Sequence, residues 1–533
     1  MKLLSFNRVP KYSIGIDFGT TTSRICFIPN ERGITIPQSV HPIRSWVTPV
    51  PRDVKGKYNW YTGESVIGRF WDHYSKFKLK IGLMENLTLT PLKMGEEISF
   101  RPEVISASII RSLWGHACQI NSELVKYRNL TITVPAEWNA IQRQATIMSA
   151  RIAGFTNVQL IEEPVAAYLA VTEYHDNDAL RKARNILVFD YGGGTLDVTV
   201  IFRPERNKAP YIIGRSMIEG EIAGEVIDYE LSKAVLGEDQ WNKLAQIDRN
   251  YFANIVRQMK EGLNPKDLSN QPPSFFPWKD EILLPISQQI FTQGSLSLSY
   301  EQMYQVTKPL ADKARHCIET AILKAQLDVI DIDAIIMVGG SSYLRTIQDE
   351  VRNFFPNKKD FSKGIYLENP EEVVAMGAAL YQSFTDRHEK NRFQIRLPME
   401  TYLEYTDNQG HVKSLKLGDS KDCLPLKPRI PKYCPVPRNA SSINWKVKQE
   451  HSYSFHEPDV VEQIVFEEYD GKGDQIRLDY SIDINGCISR WKPLLLLRQG
   501  KKLKTGSPRK YDLLDQEPLQ IAKDNSLDFG LLD

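Results

Sequence analysis

Two stretches of the chain share one order of apolar, acidic and glycine positions. Residues 186–189 are apolar and lead into Asp190, three glycines and Thr195, after which a second β-rich run begins. Residues 13–28 repeat this order, with Asp17 at the position of the acidic residue. An apolar run on each side of a tight glycine turn predicts a β-hairpin. Two such hairpins, far apart in one chain, predict two similar half-domains that face one ligand.

Strand and helix patterns alternate between and around these two hairpins. Helical character is expected over 64–82, amphipathic helical spacing is clear over 102–127, and alternating polarity predicts a strand over 129–135. Short strands are expected over 270–300, and a buried strand is expected at 334–338 before a pair of glycines. Alternation of this kind is typical of an α/β fold.

The pattern changes near residue 385, where a polar linker precedes short alternating strands without helices. The fold class predicted is therefore an α/β unit of two lobes with a duplicated core, followed by a β-sandwich-like domain. The predicted boundaries are 1–384 for the α/β domain, 385–393 for the linker, 394–500 for the β-rich domain and 501–533 for a partly disordered tail.

Composition narrows the class of protein. The 533 residues include 67 basic and 66 acidic side chains, a net charge of +1, so no basic surface for nucleic acid is predicted. Six scattered cysteines without a CxxC pair are typical of reduced thiols in a cytoplasmic protein. No window approaches the ~20 apolar residues of a membrane span. We therefore expect a cytoplasmic protein that binds neither nucleic acid nor membrane.

The glycine turns predict a site for phosphate. Gly192, Gly193 and Gly194 have no Cβ, so a ligand can approach their backbone N–H groups, which form an anion-binding concavity. A carboxylate beside phosphate requires a divalent cation between the two, and hard cations prefer oxygen ligands. The sequence has no P-loop, no G-x-G-x-x-G of a dinucleotide site, no ligand spacing of a zinc site and no G-x-S-x-G of a serine nucleophile. These four kinds of site are therefore excluded.

Six motifs, in one order, resemble the heat-shock protein 70 (DnaK-like) chaperones of the actin-fold ATPase superfamily. The resemblance covers roughly residues 12–383 and indicates a divergent member with a short C-terminal domain. The motifs are Gly15-Ile16-Asp17-Phe18-Gly19-Thr20-Thr21, Thr133-Val134-Pro135-Ala136 with Gln142-Arg143-Gln144-Ala145-Thr146, Glu163-Pro164, Phe189-Asp190-Tyr191-Gly192-Gly193-Gly194-Thr195, Val338-Gly339-Gly340-Ser341, and Asn369-Pro370-Glu371 with Gly377-Ala378-Ala379.

What this resemblance implies is an actin-like pair of lobes that binds ATP or ADP with Mg²⁺ and hydrolyses ATP. Asp17 and Asp190 would hold the magnesium through water. The residues implied in catalysis are Lys78, Glu163, Asp190 and Thr195. The residues implied in nucleotide binding are Gly19, Thr20, Thr21, Gly192, Gly193, Gly194, Gly224, Lys260, Gly339, Gly340, Ser341 and Tyr343.

The sequence departs from the family's pattern at two places. Tyr343 stands where the family usually has the arginine that borders adenine. The family positions that meet J-domain co-chaperones are here Gln159, Glu162 and Val165, so the resemblance does not extend to a standard J-domain partner. The partners implied are client polypeptides and a nucleotide-exchange factor.

Three functions fit these observations. The leading one is a DnaK-like chaperone whose ATP hydrolysis controls the binding of unfolded client polypeptides. A second is a slow nucleotide-dependent switch that acts on one dedicated partner through residues 392–533. A third is an actin-fold small-molecule kinase, which the Gln-Arg-Gln-Ala-Thr and Glu-Pro segments disfavour.

Overall fold

The fold is seen in a computed structural model of the chain. The residues that the structure describes are 10–30, 37–51, 58–66, 73–83, 85–89, 97–174, 180, 182–205, 208–262, 274–275, 282–283, 290–291, 297–358, 364–367, 369–387, 389, 393–407, 409–428, 431–436, 442–450, 459–466, 475–496 and 502–505.

The first lobe is built on a mixed sheet that contains the first predicted hairpin. Its strand order is β10-β9-β1-β2-β3, and β4 also pairs with β2. The strands of this lobe are β1 (Tyr12–Asp17), β2 (Thr22–Pro29), β3 (Gln38–Ser39), β4 (Ile43–Arg44), β5 (Val47–Pro51), β6 (Tyr58–Thr62), β7 (Leu87–Leu89), β8 (Ile98–Phe100), β9 (Asn129–Val134) and β10 (Asn157–Glu162). The helices are α1 (Pro102–Ile120), α2 (Ala140–Ile152) and α3 (Glu163–Tyr174).

The second lobe is built on a five-stranded sheet that contains the second predicted hairpin. Its order is β13-β12-β11-β18-β19. The strands are β11 (Asn185–Tyr191), β12 (Thr195–Phe202), β13 (Tyr211–Glu219), β14 (Ser274–Phe275), β15 (Ile282–Leu283), β16 (Ile290–Phe291), β17 (Ser297–Leu298), β18 (Ala334–Val338) and β19 (Ile365–Tyr366). The helices are α4 (Gly224–Leu236), α5 (Glu238–Lys243), α6 (Gln246–Gly262), α7 (Tyr300–Lys324), α8 (Arg345–Phe354) and α9 (Val373–Asp386).

The two sheets have the same topology. In the first lobe, β1 pairs antiparallel with β2, β2 pairs antiparallel with β3, and β9 and β10 extend the sheet in parallel. In the second lobe, β11, β12 and β13 form the antiparallel part, and β18 and β19 extend it in parallel. The prediction of two similar half-domains is confirmed.

Two helices lie between the sheets and join the lobes. Helices α3 and α9 share a buried apolar cluster with strands of both sheets, including Ile28 of the first and Val188 of the second. The helices approach so closely that a Cβ on Gly377 would lie 1.8 Å from the carbonyl oxygen of Ala166. Because nothing larger than glycine fits there, Gly377 fixes the distance between the two helices.

The predicted helix over 64–82 is wrong in its type. The described part of this stretch contains only two short 3₁₀ helices, Gly63–Val66 and Phe77–Lys80. Just after the second of them, the backbone of Gly82 donates a 3.0 Å hydrogen bond to the carboxylate of Glu103 on α1. Tertiary contacts to α1 therefore determine this turn.

Two four-stranded antiparallel sheets follow the lobes, ordered β21-β20-β23-β24 and β22-β25-β26-β27. Their inward side chains, such as Val447 and Leu478, share one apolar core. The strands are β20 (Glu400–Thr406), β21 (Val412–Gly418), β22 (Lys432–Pro435), β23 (Ile443–Glu450), β24 (Asp459–Phe466), β25 (Gln475–Ile482), β26 (Ile488–Leu496) and β27 (Lys502–Thr505).

The predicted tail begins within the second of these sheets. Strand β27, at Lys502–Thr505, pairs antiparallel with β26 and lies beyond residue 501, where the tail was predicted to start. The remainder of the predicted tail lies outside the described residues. Among the described helices, none has both the length and the apolar character required to cross a bilayer.

Candidate active site

The tips of the two hairpins face each other across the space between the lobes. A Cβ added to Gly193 would lie 1.7 Å from the hydroxyl oxygen of Thr21, and one added to Gly194 would lie 2.2 Å from that of Thr20. The turns can approach this closely only because both positions are glycine. Their backbone N–H groups and the two threonine hydroxyls are therefore concentrated in one small region, which suits phosphate oxygens.

A cleft of about 700 Å³ lies between the lobes, and all the site residues predicted from the sequence line it. These residues are Asp17, Gly19, Thr20, Thr21, Lys78, Glu163, Asp190, Gly192, Gly193, Gly194, Thr195, Gly224, Lys260, Gly339, Gly340, Ser341 and Tyr343. The individual roles of these residues stay predictions.

Three carboxylates and one lysine occupy the deep end of the cleft. Lys78 is 3% exposed, and its Nζ lies 2.6 Å from Oε1 of Glu163, the first residue of α3. Burial and the nearby Glu163 raise the pKa of Asp17 to about 6. Burial, Glu163 and Asp17 together raise the pKa of Asp190 well above its usual range. Full ionisation of these carboxylates is therefore unfavourable beside Lys78 alone, and a bound cation would favour it.

The donor set of this cluster fits Mg²⁺. Asp17 is the last residue of β1 and Asp190 the second-to-last residue of the equivalent strand β11, and both line the cleft with hard carboxylate oxygens. Among the described residues, no group of three or more acidic, histidine or cysteine side chains is close enough to enclose a metal. Mg²⁺ usually keeps several waters and binds one or two carboxylates together with phosphate oxygens. Two carboxylates are therefore enough for a Mg²⁺ that is also bound by water and phosphate.

Comparison with known proteins agrees with this geometry. The sequence profile of the family described as Hsp70 protein matches residues 64–393, which is more than half of the chain. The chain belongs to the Hsp70 family. Members of this family have the actin-like ATPase fold of two lobes, to which the two equivalent sheets correspond.

The Hsp70 chain is similar to several DnaK proteins over part of their length. It is 28% identical over 381 residues to the chaperone protein DnaK of Mycoplasmopsis agalactiae, a match that covers 69% of this chain and 58% of that protein. It is 32% identical over 288 residues to the DnaK of Cyanidioschyzon merolae, covering 53% and 43%. The DnaK of Cyanidium caldarium is 29% identical over 395 residues, covering 69% and 60%. The matches thus span 43 to 60% of the lengths of these relatives.

One buried carboxylate next to Asp190 was not predicted as a site residue from the sequence. Asp197 is fully buried on β12, directly opposite Asp190, and accepts a 2.6 Å hydrogen bond from the backbone of Ala136. Burial raises the pKa of Asp197 well above its usual range. The register of the predicted hairpin could have identified Asp197, because a turn at residues 192–194 places Asp197 beside Asp190.

Two residues of the first lobe hold the deep end of the cleft in place. The Thr133 hydroxyl donates a 3.0 Å hydrogen bond to Asp17 and accepts one from the backbone of Phe18. The ring of Trp138, which is fully buried, lies 5.5 Å from Nζ of Lys78. This cation–π contact supports the ammonium group from the side of α2.

The outer end of the cleft is shaped by α4, α6 and the turn after β18. Nζ of Lys260 lies 2.5 Å from the carboxylate of Asp228, which fixes the lysine against α4. The Ser341 hydroxyl donates a 3.1 Å hydrogen bond to the carbonyl of Gly192, so this turn is tied to the second hairpin. Tyr343 also lines the cleft.

Replacing Gly193 by alanine is expected to weaken ATP binding by roughly 10- to 100-fold, because overpacking costs about 1–3 kcal/mol. The new Cβ would lie 2.6 Å from Cβ of Thr21 as well, so a change of the threonine rotamer cannot remove the clash. Calorimetric titration with ATP and Mg²⁺ measures the effect. Gly115→Ala is the control, since its Cβ meets nothing within 4 Å. Equal affinity in both variants would contradict the close approach of the hairpins.

Proposed function

We propose that this chain is a DnaK-like chaperone that binds and hydrolyses ATP to control its hold on unfolded polypeptides. The observation that carries the proposal is the cleft, where two glycine hairpins and a buried lysine surround a cluster of carboxylates. Membership of the Hsp70 family supports ATP as the ligand.

The two hairpins would hold the phosphates. The backbone N–H groups of Gly193 and Gly194, with the hydroxyls of nearby threonines, would supply donors from both lobes, whereas the N–H of Gly192 donates within the hairpin to the carbonyl of Thr195 at 3.0 Å. Gly224 begins α4 beside them, and its backbone donates to Gly192, which keeps the start of this helix against the hairpin. Lys260 and Tyr343 would bind the nucleoside at the outer end.

Hydrolysis would occur by in-line attack of water on the γ-phosphate. Mg²⁺, when bound with ATP beside Asp17 and Asp190, supplies charge neutralisation for the phosphates. Lys78 would donate a hydrogen bond to the attacking water, and Glu163 would orient the lysine through their 2.6 Å contact. Thr195, at the start of β12, would bind the phosphate from the second lobe. Such catalysis consists mainly of positioning and electrostatic stabilisation.

The two C-terminal sheets would form the β-sandwich that binds clients. They contact the first lobe near α2 and β10. The amide of Asn139 donates to Asp459 at 2.6 Å, the backbone of Ala140 donates to Gln449 at 2.7 Å, and the backbone of Leu160 donates to Asn485 at 2.9 Å. Leu160 lies on β10, which ends at Glu162 immediately before Glu163, so movement of the sheets would be transmitted along this strand to the catalytic end of the cleft.

The test is ATP turnover by the intact chain with and without an unfolded peptide. We expect the peptide to accelerate turnover in the wild type and to have no effect in Asn485→Ala, which loses the bond to Leu160 but leaves basal turnover intact. Asn444→Ala, at an exposed position on β23, should behave as the wild type.

The same measurement distinguishes the chaperone cycle from the second candidate function. Turnover that is indifferent to peptide in the wild type would contradict the chaperone cycle. It would favour a nucleotide switch that acts on one dedicated partner.

A further inference from the structure

Lys76 links the two lobes across the cleft. It immediately precedes the 3₁₀ helix Phe77–Lys80 of the first lobe, and its Nζ lies 3.0 Å from the carboxylate of Glu225 on α4 of the second lobe. The same ammonium group lies 5.2 Å from the ring of Tyr229, one turn further along α4. An ion pair and a cation–π contact together hold Lys76 against the second lobe.

Glu225 itself contacts both hairpins that face the cleft, β1–β2 and β11–β12. Its carboxylate accepts a 3.3 Å hydrogen bond from the hydroxyl of Thr21 in the first hairpin. Its backbone N–H donates to the carbonyl of Gly193 in the second hairpin at 3.1 Å. The side chain of Glu225 is only 14% exposed. The Lys76–Glu225 pair can therefore form only when the two hairpins are close together.

The backbone of Lys76 constrains the turn that carries Lys78. Its φ of 54° and ψ of 13° lie in the left-handed region, which is unfavourable for a residue with a side chain. Two residues later, Lys78 contacts Glu163 at the deep end of the cleft. One short turn is thus attached at Lys76 to the second lobe and at Lys78 to the start of α3.

We propose that Lys76 is a positioning residue that makes the placement of Lys78 depend on closure of the cleft. This inference rests on the hydrolysis proposed above. When the lobes separate, Glu225 withdraws from Lys76, and the left-handed backbone loses the contact that stabilises it. The turn can then relax and carry Lys78 away from the attacking water, so chemistry is confined to the closed state.

The experiment measures single-turnover hydrolysis and the release of fluorescent ADP in the intact chain. Lys76→Met is expected to slow hydrolysis about tenfold, to change ATP affinity much less and to accelerate ADP release several-fold. Lys76→Arg keeps the charge and should restore most of both rates. Lys80→Met is the control, because Lys80 lies on the same turn and is exposed.

A double-mutant cycle assigns the effect to the pair. Adding Glu225→Gln to Lys76→Met should slow hydrolysis less than the product of the two single effects, as expected for residues that act through one contact. An active wild type whose rates are unchanged by Lys76→Met, or are changed equally by Lys80→Met, would overturn the role of Lys76. A wild type that binds ATP without hydrolysing it would instead contradict the proposed function.

Discussion

Replacing Lys78 by alanine is expected to slow ATP hydrolysis by roughly 10²- to 10³-fold, the usual cost of one group that stabilises charge in a transition state. Lys78 is buried against Glu163 and is supported by the ring of Trp138, so its ammonium group has one defined position. The affinity for ATP should change far less, because the two hairpins and the outer end of the cleft retain their contacts. Single-turnover kinetics and a binding titration separate the two quantities.

Lys80→Ala is the matched control for this prediction. Lys80 belongs to the same 3₁₀ helix and is exposed, whereas Lys78 is buried. A similar loss of rate in both variants would mean that the turn as a whole is damaged. Unchanged turnover in Lys78→Ala would remove Lys78 from the catalytic site.

Replacing Glu162 by alanine is expected to lower the free energy of unfolding by about 3–5 kcal/mol, the usual cost of breaking a buried ion pair. Oε1 of Glu162 accepts hydrogen bonds from Arg143 at 3.0 Å and from Arg215 at 3.3 Å. The three side chains are between 3% and 9% exposed, and burial lowers the pKa of Arg143. Without Glu162, two guanidinium groups would remain buried next to each other without a negative partner at this point.

Denaturant unfolding of Glu162→Ala beside Glu319→Ala measures this effect. Glu319 pairs with Arg315 on the surface of α7, where both side chains are about half exposed, so its loss should cost less than ~1 kcal/mol. Glu162→Gln keeps an acceptor oxygen and should fall between the wild type and Glu162→Ala. Equal destabilisation by the two alanine variants would show that the buried network contributes little.

The hairpins could be predicted from the sequence because their signal is local. An apolar run, an aspartate, glycines and a second run determine strand, turn and strand within about fifteen residues. The repetition of this order also predicted the two-lobed arrangement, since Asp17 and Asp190 lie at the C-terminal ends of equivalent strands, within one residue of the last position. The residues that line the cleft followed from the same segments and from the family resemblance.

Contacts between distant segments could not be predicted in this way. The pairs Lys76–Glu225 and Glu162–Arg215 depend on how the lobes pack, and no periodicity in the sequence reports that packing. The turn that carries Lys78 shows the same limit. Its spacing suggested a helix, but contacts with α1 and α4 give it a 3₁₀ form with a left-handed residue before it.

The proposed chaperone cycle is tested most directly by the dissociation of a labelled unfolded peptide from the intact chain in ATP and in ADP, each with Mg²⁺. If the nucleotide controls client binding through the contacts between the lobes and the C-terminal sheets, ATP should accelerate dissociation by roughly 5- to 150-fold, the range of typical allosteric coupling. Equal dissociation rates in the two nucleotides, in a protein that binds both, would contradict the proposal.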